Sequence, residues 1–281
     1  MPKVKYRWAT SLGEFEESPE KIWGVEPHDP DGTDDCVFAG LYGLPDFYAL
    51  WRYKGKKYVW WCGTDILHFK KNYWLDDIGN YRINRRGLAR WINKYCESWC
   101  ENQVEAEALM EEGIYAHIAP SFLGDINNFP VSKKKTDKKR YYASVSGDEF
   151  EKYGWFKIFD LARKNPETEY HLYGNKTKPA YPIIGMYAGE YIFPDNVIFH
   201  GRVPKEQMNE EIKSMTGCIR LVDFDGFSEV VCKAILMGQE VISAIDYPFL
   251  KAENPREELL KVLNKYPWNV NLPRTTTEKA L

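Results

Sequence analysis

The most constraining stretch of the sequence is residues 217–243, which read GCIRLVDFDGFSEVVCKAILMGQEVIS. A short apolar run rich in β-branched residues is followed by an Asp-Gly turn, and apolar residues after Ser228 recur at helical spacing. Gly238 stands where a glycine that ends a helix is expected, and another short apolar run follows it. The stretch therefore predicts a βαβ unit whose helix has about three turns.

The part of this unit that is best suited to binding a ligand is the turn between the first strand and the helix. Backbone amides at a helix start have no acceptor within the helix, and they carry the positive end of the helix dipole. Such a start suits a phosphate group. The sequence therefore predicts phosphate binding by the amides of Gly226, Phe227, Ser228 and Glu229.

The same stretch, together with VIFHGRV at 197–203, resembles the donor-binding half of GT-B glycosyltransferases. The resemblance is to the large nucleotide-sugar-dependent family that includes many retaining enzymes. In that family a V-x-F-x-G-x-V strand precedes an acidic residue, Gly, an aromatic or aliphatic residue, and a helix that ends E-A-hydrophobic-x-x-G-x-P-V-I. The corresponding letters here are DGFS at 225–228 and KAILMGQEVI at 233–242.

The resemblance also implies roles for single residues. One family glutamate lies near the transferred sugar and a second binds the ribose hydroxyls, where this chain has Asp225 and Lys233. The loop Gly201-Arg202-Val203 is implied to lie near the base. A carboxylate accepts hydrogen bonds from a vicinal diol, whereas an ammonium only donates. Lys233 therefore either binds a phosphate or the ribose oxygens, or it is a solvated helix lysine.

The first half of the chain has its own alternation of strands and helices. Strands are predicted at 3–9, 36–39, 58–61 and 115–120, helices at 44–53 and 85–113, and an irregular segment at 17–35. This order predicts a parallel sheet.

The segment Gly63-Thr64-Asp65 follows a predicted strand and resembles the W-x-G-[ST]-D segment of the family's acceptor-side domain. The carboxyl end of a parallel strand is the usual ligand position in open α/β sheets. Either Asp65 caps the next helix or turn, or Thr64 and Asp65 contact the acceptor or donor sugar, with Asp65 as a catalytic residue. His68 either acts as a base or packs, and the loop at Gly13 is a second place where a nucleotide or acceptor would approach the backbone.

A basic run, KKKTDKKR at 133–140, separates the two halves and contains no apolar residue. It predicts a linker between an acceptor-side domain at 1–132 and a nucleotide-sugar-binding domain at 141–281. A last helix at 257–265 either closes the second domain or crosses back to the first. A further interpretation of Lys133–Arg140 is peripheral contact with anionic lipid. Nucleic acid is not predicted, because no stacking motif or basic face accompanies the run.

These features predict an α/β fold with two Rossmann-like domains whose parallel sheets face a crevice, the GT-B architecture. The resemblance implies a glycosyltransferase that moves a sugar from a nucleotide-sugar, which is a co-substrate, to a carbohydrate, lipid-linked or small-molecule acceptor. No cofactor and no metal are expected, because the helix dipole and basic side chains stabilise the leaving diphosphate in this fold. Asp223-Phe224-Asp225 also matches the short D-x-D metal motif of the other glycosyltransferase fold.

One family motif is altered in a way that bears on activity. The family reads S-G-R-x-x-x-K-G at the start of the second half, and its Arg and Lys grip the donor diphosphate. Here Asp148 follows Ser-Gly and Tyr153 precedes Gly154, with Lys152 adjacent. Two rival interpretations therefore stay open: a non-catalytic GT-B-like binding or partner subunit, and a nucleotide-sugar epimerase of the same architecture.

Composition sets the outer limits. The 281 residues are enough for two domains, and the net charge of -3 gives no general attraction to nucleic acid. No apolar run reaches membrane-spanning length and no signal-peptide pattern opens the chain, so a cytoplasmic protein is expected. The six cysteines are scattered, several within apolar runs, which predicts reduced thiols and not a disulfide framework.

Overall fold

The computed structural model describes residues 4–9, 12, 19–71, 85–132, 137–145, 152–174 and 194–270. The chain divides into two compact units. The first comprises Met1–Gly124, Phe224–Phe227 and Val262–Leu281, and the second comprises Asp125–Asp223 and Ser228–Lys261. The predicted domain limits stay a prediction, since residues 133–136 of the predicted linker lie outside the described residues, as do Gly13 and Asp148.

The first unit is built on a parallel sheet. Its strands are β1 (Lys5–Trp8), β2 (Glu26–Pro27), β3 (Cys36–Ala39), β4 (Lys57–Trp60), β5 (Cys96–Cys100) and β6 (Ala116–Ile118). Its helices are α1 (Pro19–Trp23), α2 (Leu44–Arg52), α3 (Thr64–Lys71), α4 (Arg85–Tyr95) and α5 (Gln103–Glu111). The strand order is β2-β1-β3-β4-β5-β6, and every pair is parallel. The segment expected to be irregular at 17–35 instead contains α1 and β2.

The predicted helix at 85–113 is wrong, because two helices flank strand β5. The strand pairs with β4 from Cys96 to Trp99, and Trp99 packs beside Tyr266 at 5.6 Å between ring centroids. Asn102 then caps α5, its side chain accepting a hydrogen bond from the Glu105 amide at 3.0 Å. Aromatic residues in α4 and β5 happen to follow helical spacing, which concealed the strand in the sequence.

Two apolar clusters cover the opposite faces of this sheet. Alternate residues of β4 divide between them, since Val59 belongs to one cluster and both Tyr58 and Trp60 to the other. The second cluster includes Tyr266 and Trp268, which pack against the ring of Trp23 at 5.4 and 5.9 Å. The described part of the C-terminal segment is therefore part of the first unit's core.

The second unit is built on another parallel sheet. Its strands are β7 (Arg140–Ser144), β8 (Glu169–Tyr173), β9 (Val197–Gly201), β10 (Gly217–Arg220) and β11 (Glu240–Ser243). Its helices are α6 (Trp155–Lys164), α7 (Lys205–Ile212), α8 (Glu229–Leu236) and α9, which runs from Pro255 to Val262 at the junction with the first unit. The strand order is β11-β10-β7-β8-β9, again all parallel. The predicted α/β fold with two parallel sheets is confirmed, although α8, at eight residues, is shorter than the three turns expected.

The structure also bears on the cysteines and on membrane-spanning helices. All six cysteines are free thiols, as predicted. None of the helices in the described ranges is both long and apolar enough to cross a membrane.

Candidate functional site

The loop between β10 and α8, Phe224 to Phe227, is held by the first unit; we call it the 224–227 loop. The Asn102 side-chain amide donates to the carbonyl oxygen of Asp225 at 2.7 Å. The backbone amide of Phe227 donates to Glu101 Oε2 at 2.8 Å. Phe224 packs against the apolar cluster that contains Val59. The loop conformation is therefore fixed at three of its four residues.

Gly226 is required at its position by a close approach to Glu101. A Cβ atom built on Gly226 would lie 2.1 Å from Glu101 Oε2 and 3.5 Å from Glu105 Oε1. A Cβ on Gly63, whose φ is +93°, would lie 3.3 Å from the Gly226 amide nitrogen. The β4–α3 turn and the 224–227 loop thus pack backbone to backbone, which side chains at either glycine would prevent.

Three buried carboxyl groups, Asp65, Glu101 and Glu105, surround this contact; we call them the acidic cluster. Asp65 lies in the first turn of α3, shortly after β4, and Glu101 directly follows β5. The carboxyl ends of neighbouring parallel strands meet at one edge of a sheet, which brings these groups together. The Glu101 amide donates to Glu105 Oε2 at 2.7 Å, and the Ser121 hydroxyl donates to Glu101 Oε1.

The acidic cluster holds protons more tightly than ordinary carboxyl groups. Burial raises the pKa of Asp65 to about 7 and, with the nearby charges of Asp225 and Asp65 adding to it, the pKa of Glu101 to about 8. Burial and the charge of Glu101 raise the pKa of Glu105 well above its usual range. Glu105 Oε1 has no hydrogen-bond partner within the described ranges. The cluster therefore retains protons at pH values where ordinary carboxyl groups have lost them.

Asp65 binds backbone amides from two loops. Its Oδ2 accepts from Leu41, and its Oδ1 accepts from Cys62 and Ile66, each at 3.0 Å. The side chain is fully buried. This is the arrangement that the capping interpretation describes, and a direct contact between Asp65 and a sugar stays a prediction.

The two other residues expected on the acceptor side lie on the same helix. Thr64 begins α3 and is half-buried. His68 lies one turn further along, with its Nδ1 3.2 Å from the Tyr42 carbonyl oxygen and its ring 5.6 Å from the Tyr42 ring. The structure therefore gives His68 a packing partner, and its role as a base stays a prediction.

In the second unit, Lys233 is part of an ion-pair network of three residues. Its Nζ lies 2.7 Å from Glu229 Oε1, and Lys205 Nζ lies 3.2 Å from the same oxygen. The Lys233 side chain is only 3% exposed, and its ammonium lies 5.4 Å from the centre of the Phe129 ring. The interpretation of Lys233 as a solvated helix lysine is wrong. Ser228 precedes this helix as its N-cap, and its side chain makes no capping hydrogen bond in the part of the chain that is described.

The loop expected to lie near the base follows β9. Gly201 has a φ of +72°, and its carbonyl oxygen accepts from the Gly174 amide at 2.8 Å. Arg202 is exposed and Val203 is half-buried. On β9 itself, His200 stacks on Tyr173 at 4.3 Å between ring centroids. The loop thus leaves the sheet from a strand end fixed by ring stacking, just before α7 and Lys205.

The two aspartates of the D-x-D match differ in burial, since Asp223 is exposed and Asp225 is half-buried. The Asp223 side chain is 83% exposed and pairs with Lys157 Nζ at 2.5 Å, whereas Asp225 is part of the 224–227 loop. Within the described ranges, no group of three or more His, Cys, Asp or Glu side chains is placed to hold a metal ion. Metal independence itself stays a prediction.

Two cations surround Tyr153, at the altered family motif. Lys152 Nζ lies 5.7 Å and the Arg220 guanidinium carbon 5.2 Å from the centre of its ring. Arg220 also donates to the Ser144 carbonyl oxygen at 2.7 Å. Positive charge therefore lies at the carboxyl end of β7 and β10. The arginine of the family motif S-G-R-x-x-x-K-G is replaced by Asp148 in this sequence.

Sequence reasoning missed the residues that hold the 224–227 loop. Glu101, Asn102 and Glu105 all fell inside the predicted helix at 85–113. Their signal was the helix-start pattern Asn102-x-x-Glu105, in which a capping residue is followed three positions later by Glu. Recognising it would have ended the preceding element before Asn102 and placed Glu101 at a strand end.

A Glu101→Gln variant is expected to reduce the pH dependence of stability. The folded-state pKa of about 8 lies above the ordinary 4.5, so between these values the folded state binds more protons than the unfolded state. The free energy of unfolding should therefore fall as pH rises through this window, by up to about 1.4 kcal/mol per pH unit for this group. Glutamine does not titrate, so its contribution to the slope disappears.

Chemical denaturation at several pH values measures this slope. Glu97→Gln is the matched control, since Glu97 is a partly exposed residue of β5 that pairs with Lys56. An unchanged slope in Glu101→Gln, or an equal change in the control, would contradict the assignment.

Comparisons with known proteins identify the fold. No protein-family model matches the sequence, and a search of curated proteins gave no match. A mutant of S. aureus TarM, solved in complex with fondaparinux, alpha-GlcNAc-glycerol and UDP, matches with a TM-score of 0.54 at 12% identity, over 81% of this chain and 48% of that chain. Sucrose-phosphate synthase from Thermosynechococcus elongatus matches with a TM-score of 0.52 at 13% identity, over 74% of this chain and 55% of that chain.

A second TarM structure matches with a TM-score of 0.53 at 13% identity, over 81% of this chain and 46% of that chain. The chain thus spans about half the length of these three solved structures. These are GT-B glycosyltransferases, and the predicted GT-B fold is confirmed.

Proposed function

We propose that this chain, which has the GT-B fold, transfers a sugar from a nucleotide-sugar donor to an acceptor without a metal ion. The observation that carries the proposal is the match over 81% of the chain to TarM, a protein solved with UDP and alpha-GlcNAc-glycerol. The proposed acceptor is a glycan, a lipid-linked carbohydrate or a small molecule.

The donor side of the proposal uses the start of α8 and the residues around it. The amides of Gly226, Ser228 and Glu229 bind the diphosphate, aided by the positive end of the helix dipole. The Phe227 amide, which the sequence predicted to take part, instead donates to Glu101 Oε2 at 2.8 Å. The side chain of Ser228, the N-cap of α8, makes no capping hydrogen bond among the described residues, which supports this role. Asp225 lies near the transferred sugar, and the Gly201-Arg202-Val203 loop lies near the base. The chemistry is leaving-group stabilisation together with positioning of the donor.

The acceptor side of the proposal uses the first unit. Thr64 and His68 on α3, and the loop at Gly13, contact the acceptor. Asp65 contributes by binding the amides of Leu41 and Cys62 and so ordering the turns on either side of Thr64. An acceptor hydroxyl could then be positioned without direct access to the buried carboxylate.

A non-catalytic GT-B-like subunit is the second candidate, and one observation favours it. Lys233 stands where the family has the ribose-binding glutamate, and its ammonium is buried against Glu229. Such a subunit would fold stably and bind nucleotides weakly or not at all.

Nucleotide binding tests the proposal. Thermal unfolding and calorimetry are measured with UDP, GDP, ADP, CMP and their sugar conjugates, because a ligand that binds only the folded state stabilises it by about 2.7 kcal/mol at a hundred times its Kd. Saturable binding of one nucleotide, followed by sugar transfer to an acceptor, supports the proposal. Folded protein that binds none of them favours the non-catalytic subunit, and donor turnover without an acceptor indicates an epimerase.

An Asp225→Ala variant is expected to lose about 10²-fold or more in sugar transfer while still binding the nucleotide, since a misplaced donor sugar reacts slowly. The carbonyl oxygen that Asn102 holds remains, so the loop should stay in place. Initial rates with the donor found in the screen measure the effect. Asp223→Ala is the matched control, because its exposed side chain pairs only with the surface residue Lys157 among the contacts observed. Full transfer by Asp225→Ala would remove Asp225 from the mechanism.

A further inference from the structure

We infer that His171 and His200 form a pH-sensitive switch, which binds a single proton and, once protonated, ties helix α7 to strands β8 and β9. His171 lies in β8 and His200 in β9. Their rings stack at 5.1 Å between centroids, and His171 Nδ1 lies 2.8 Å from His200 Nε2. The switch belongs to the unliganded chain, so it does not depend on the proposed function.

The outer nitrogen of each ring faces a carboxylate. His171 Nε2 lies 3.5 Å from Glu169 Oε2 on the same strand, and His200 Nδ1 lies 3.7 Å from Glu211 Oε2 on α7. Both distances exceed the usual length of a hydrogen bond. The buried His171 Nε2 has no hydrogen-bond partner within the described ranges. The four side chains thus form a row that runs from β8 through β9 to α7.

The number of protons that this row can hold follows from the contact between the rings. Two neutral imidazoles carry two protons, and the contact at 2.8 Å uses one of them, because one nitrogen donates and the other accepts. The other proton lies on one outer nitrogen and leaves the second outer nitrogen bare beside a carboxylate. One further proton fills that position. Yet another would set two N–H groups against each other, so the pair binds one proton where two separate histidines would bind two.

Both carboxylates remain ionised where histidines titrate. A hydrogen bond from Lys138 at 2.7 Å holds the pKa of Glu169 below its usual range. Hydrogen bonds from the Tyr173 hydroxyl at 2.6 Å and from the Gln207 amide at 2.8 Å do the same for the pKa of Glu211. Hydrogen bonds between an imidazolium and a carboxylate are short and strong. The added proton should therefore draw Glu211, and α7 with it, towards β9.

The surroundings place this uptake in mildly acidic solution. Burial lowers the pKa of both histidines below the ordinary 6.5. For His171 the charges of His200 and Arg140 lower the pKa further, while Glu169 opposes them, and Glu211 raises the pKa of His200. The folded chain thus binds fewer protons than the unfolded chain as pH falls below 6.5. Acidification should therefore favour unfolding.

Nuclear magnetic resonance of the full chain with isotope-labelled histidine tests the proton count. The ring signals of His171 and His200 should change with one common midpoint, and the pair should take up one proton in total. His171→Gln and His200→Gln should each still take up one proton at this site. His117→Gln is the matched control, because His117 is an exposed residue of β6, and it should lower the uptake of the folded chain by one. Uptake of two protons by the wild-type pair would overturn the inference.

Chemical denaturation at several pH values is an independent measurement. Below the midpoint the folded wild-type pair holds one proton fewer than the unfolded chain. This site should therefore raise the ratio of unfolded to folded chain by up to about tenfold for each pH unit of acidification. The difference should disappear in His171→Gln, where both states bind one proton, and persist in His117→Gln. A wild-type pH dependence in His171→Gln would contradict the count.

Glu211→Gln tests the tie to α7. Loss of this charge should move the midpoint of the pair to lower pH. Backbone amide signals of α7 and of residues 201–203 should follow the midpoint in the wild-type chain and cease to do so in the variant. Glu210→Gln, whose exposed side chain pairs with Lys213, is the matched control and should behave as the wild-type chain does. An unchanged midpoint and unchanged amide signals in Glu211→Gln would overturn the switch.

Discussion

An Asp65→Ala variant is expected to lose about 3–5 kcal/mol of unfolding free energy, more than any other single change to the acidic cluster. Two backbone amides, those of Leu41 and Cys62, would lose their acceptor in the interior of the first unit, whereas the Ile66 amide would keep the Gly63 carbonyl oxygen at 3.0 Å. Each buried donor left without a partner costs about 1–3 kcal/mol. Part of this cost is offset, because the alanine variant no longer buries a carboxyl group. Burial of this group is unfavourable and raises its pKa to about 7.

Chemical denaturation measures the loss, with an unchanged denaturant slope as the sign that the two-state comparison is sound. Asp65→Asn should lose less, because its remaining side-chain oxygen can still accept from Cys62 and Ile66 while its amide group opposes the Leu41 amide. The matched control is Asp160→Ala on α6, an exposed residue paired with Arg163, which should change stability by less than about 0.5 kcal/mol. A loss below about 1 kcal/mol in Asp65→Ala would mean that the amides find other partners.

The same variant bears on the two interpretations of Asp65. If capping is its whole role, Asp65→Ala should lose sugar transfer only in proportion to the folded fraction. If Asp65 also contacts a sugar, or orders the turns beside Thr64 as proposed above, transfer should fall much further at temperatures where the variant remains folded. Sequence alone left these interpretations open, because a carboxylate after a strand suits both a cap and a ligand.

Strand positions were predictable where local patterns agreed with tertiary structure. The run 36–39 is short, apolar and bounded by turn residues, and β3 has the predicted limits. The region 85–113 failed because aromatic residues of α4 and β5 share one apparent helical spacing across an element boundary. Secondary-structure prediction from periodicity considers the spacing of apolar residues over a stretch of sequence. It could not separate α4 from β5, because the apolar residues of both continue one helical spacing.

The partners of the candidate site could not be predicted, because they are remote in sequence. Glu101 and Phe227 are separated by 126 positions, and Asn102 and Asp225 by 123. The sequence indicated that the turn at Asp225 was the ligand-binding end of a βαβ unit. It did not indicate that Asn102 would donate a hydrogen bond to this turn and that Glu101 would accept one from it. The burial of Lys233 was equally hidden, since Lys205 on another helix completes its ion pair through Glu229.

A Gly226→Ala variant is expected to lose about 1–3 kcal/mol of unfolding free energy and about tenfold or more in nucleotide affinity. The new methyl group would lie 2.1 Å from Glu101 Oε2, and overpacking of a buried contact costs energy in this range. Glu101 cannot simply rotate away, because Ser121 and the Phe227 amide both donate to its carboxylate. The 224–227 loop would therefore shift, and the amides at the start of α8 would shift with it, which on the proposed function weakens diphosphate binding.

Denaturation and calorimetry with the nucleotide found in the screen measure both effects. The matched control is Gly43→Ala, where φ is -158° and the added Cβ would meet only Pro45 Cδ at an ordinary 3.5 Å. Combining Gly226→Ala with Glu101→Ala tests the cause, because removing the carboxylate removes the clash. The double variant should then be more stable than the sum of the two single losses indicates, by about 0.5–3 kcal/mol. Strict additivity would contradict the contact, and a loss of stability without any loss of affinity would separate the loop from nucleotide binding.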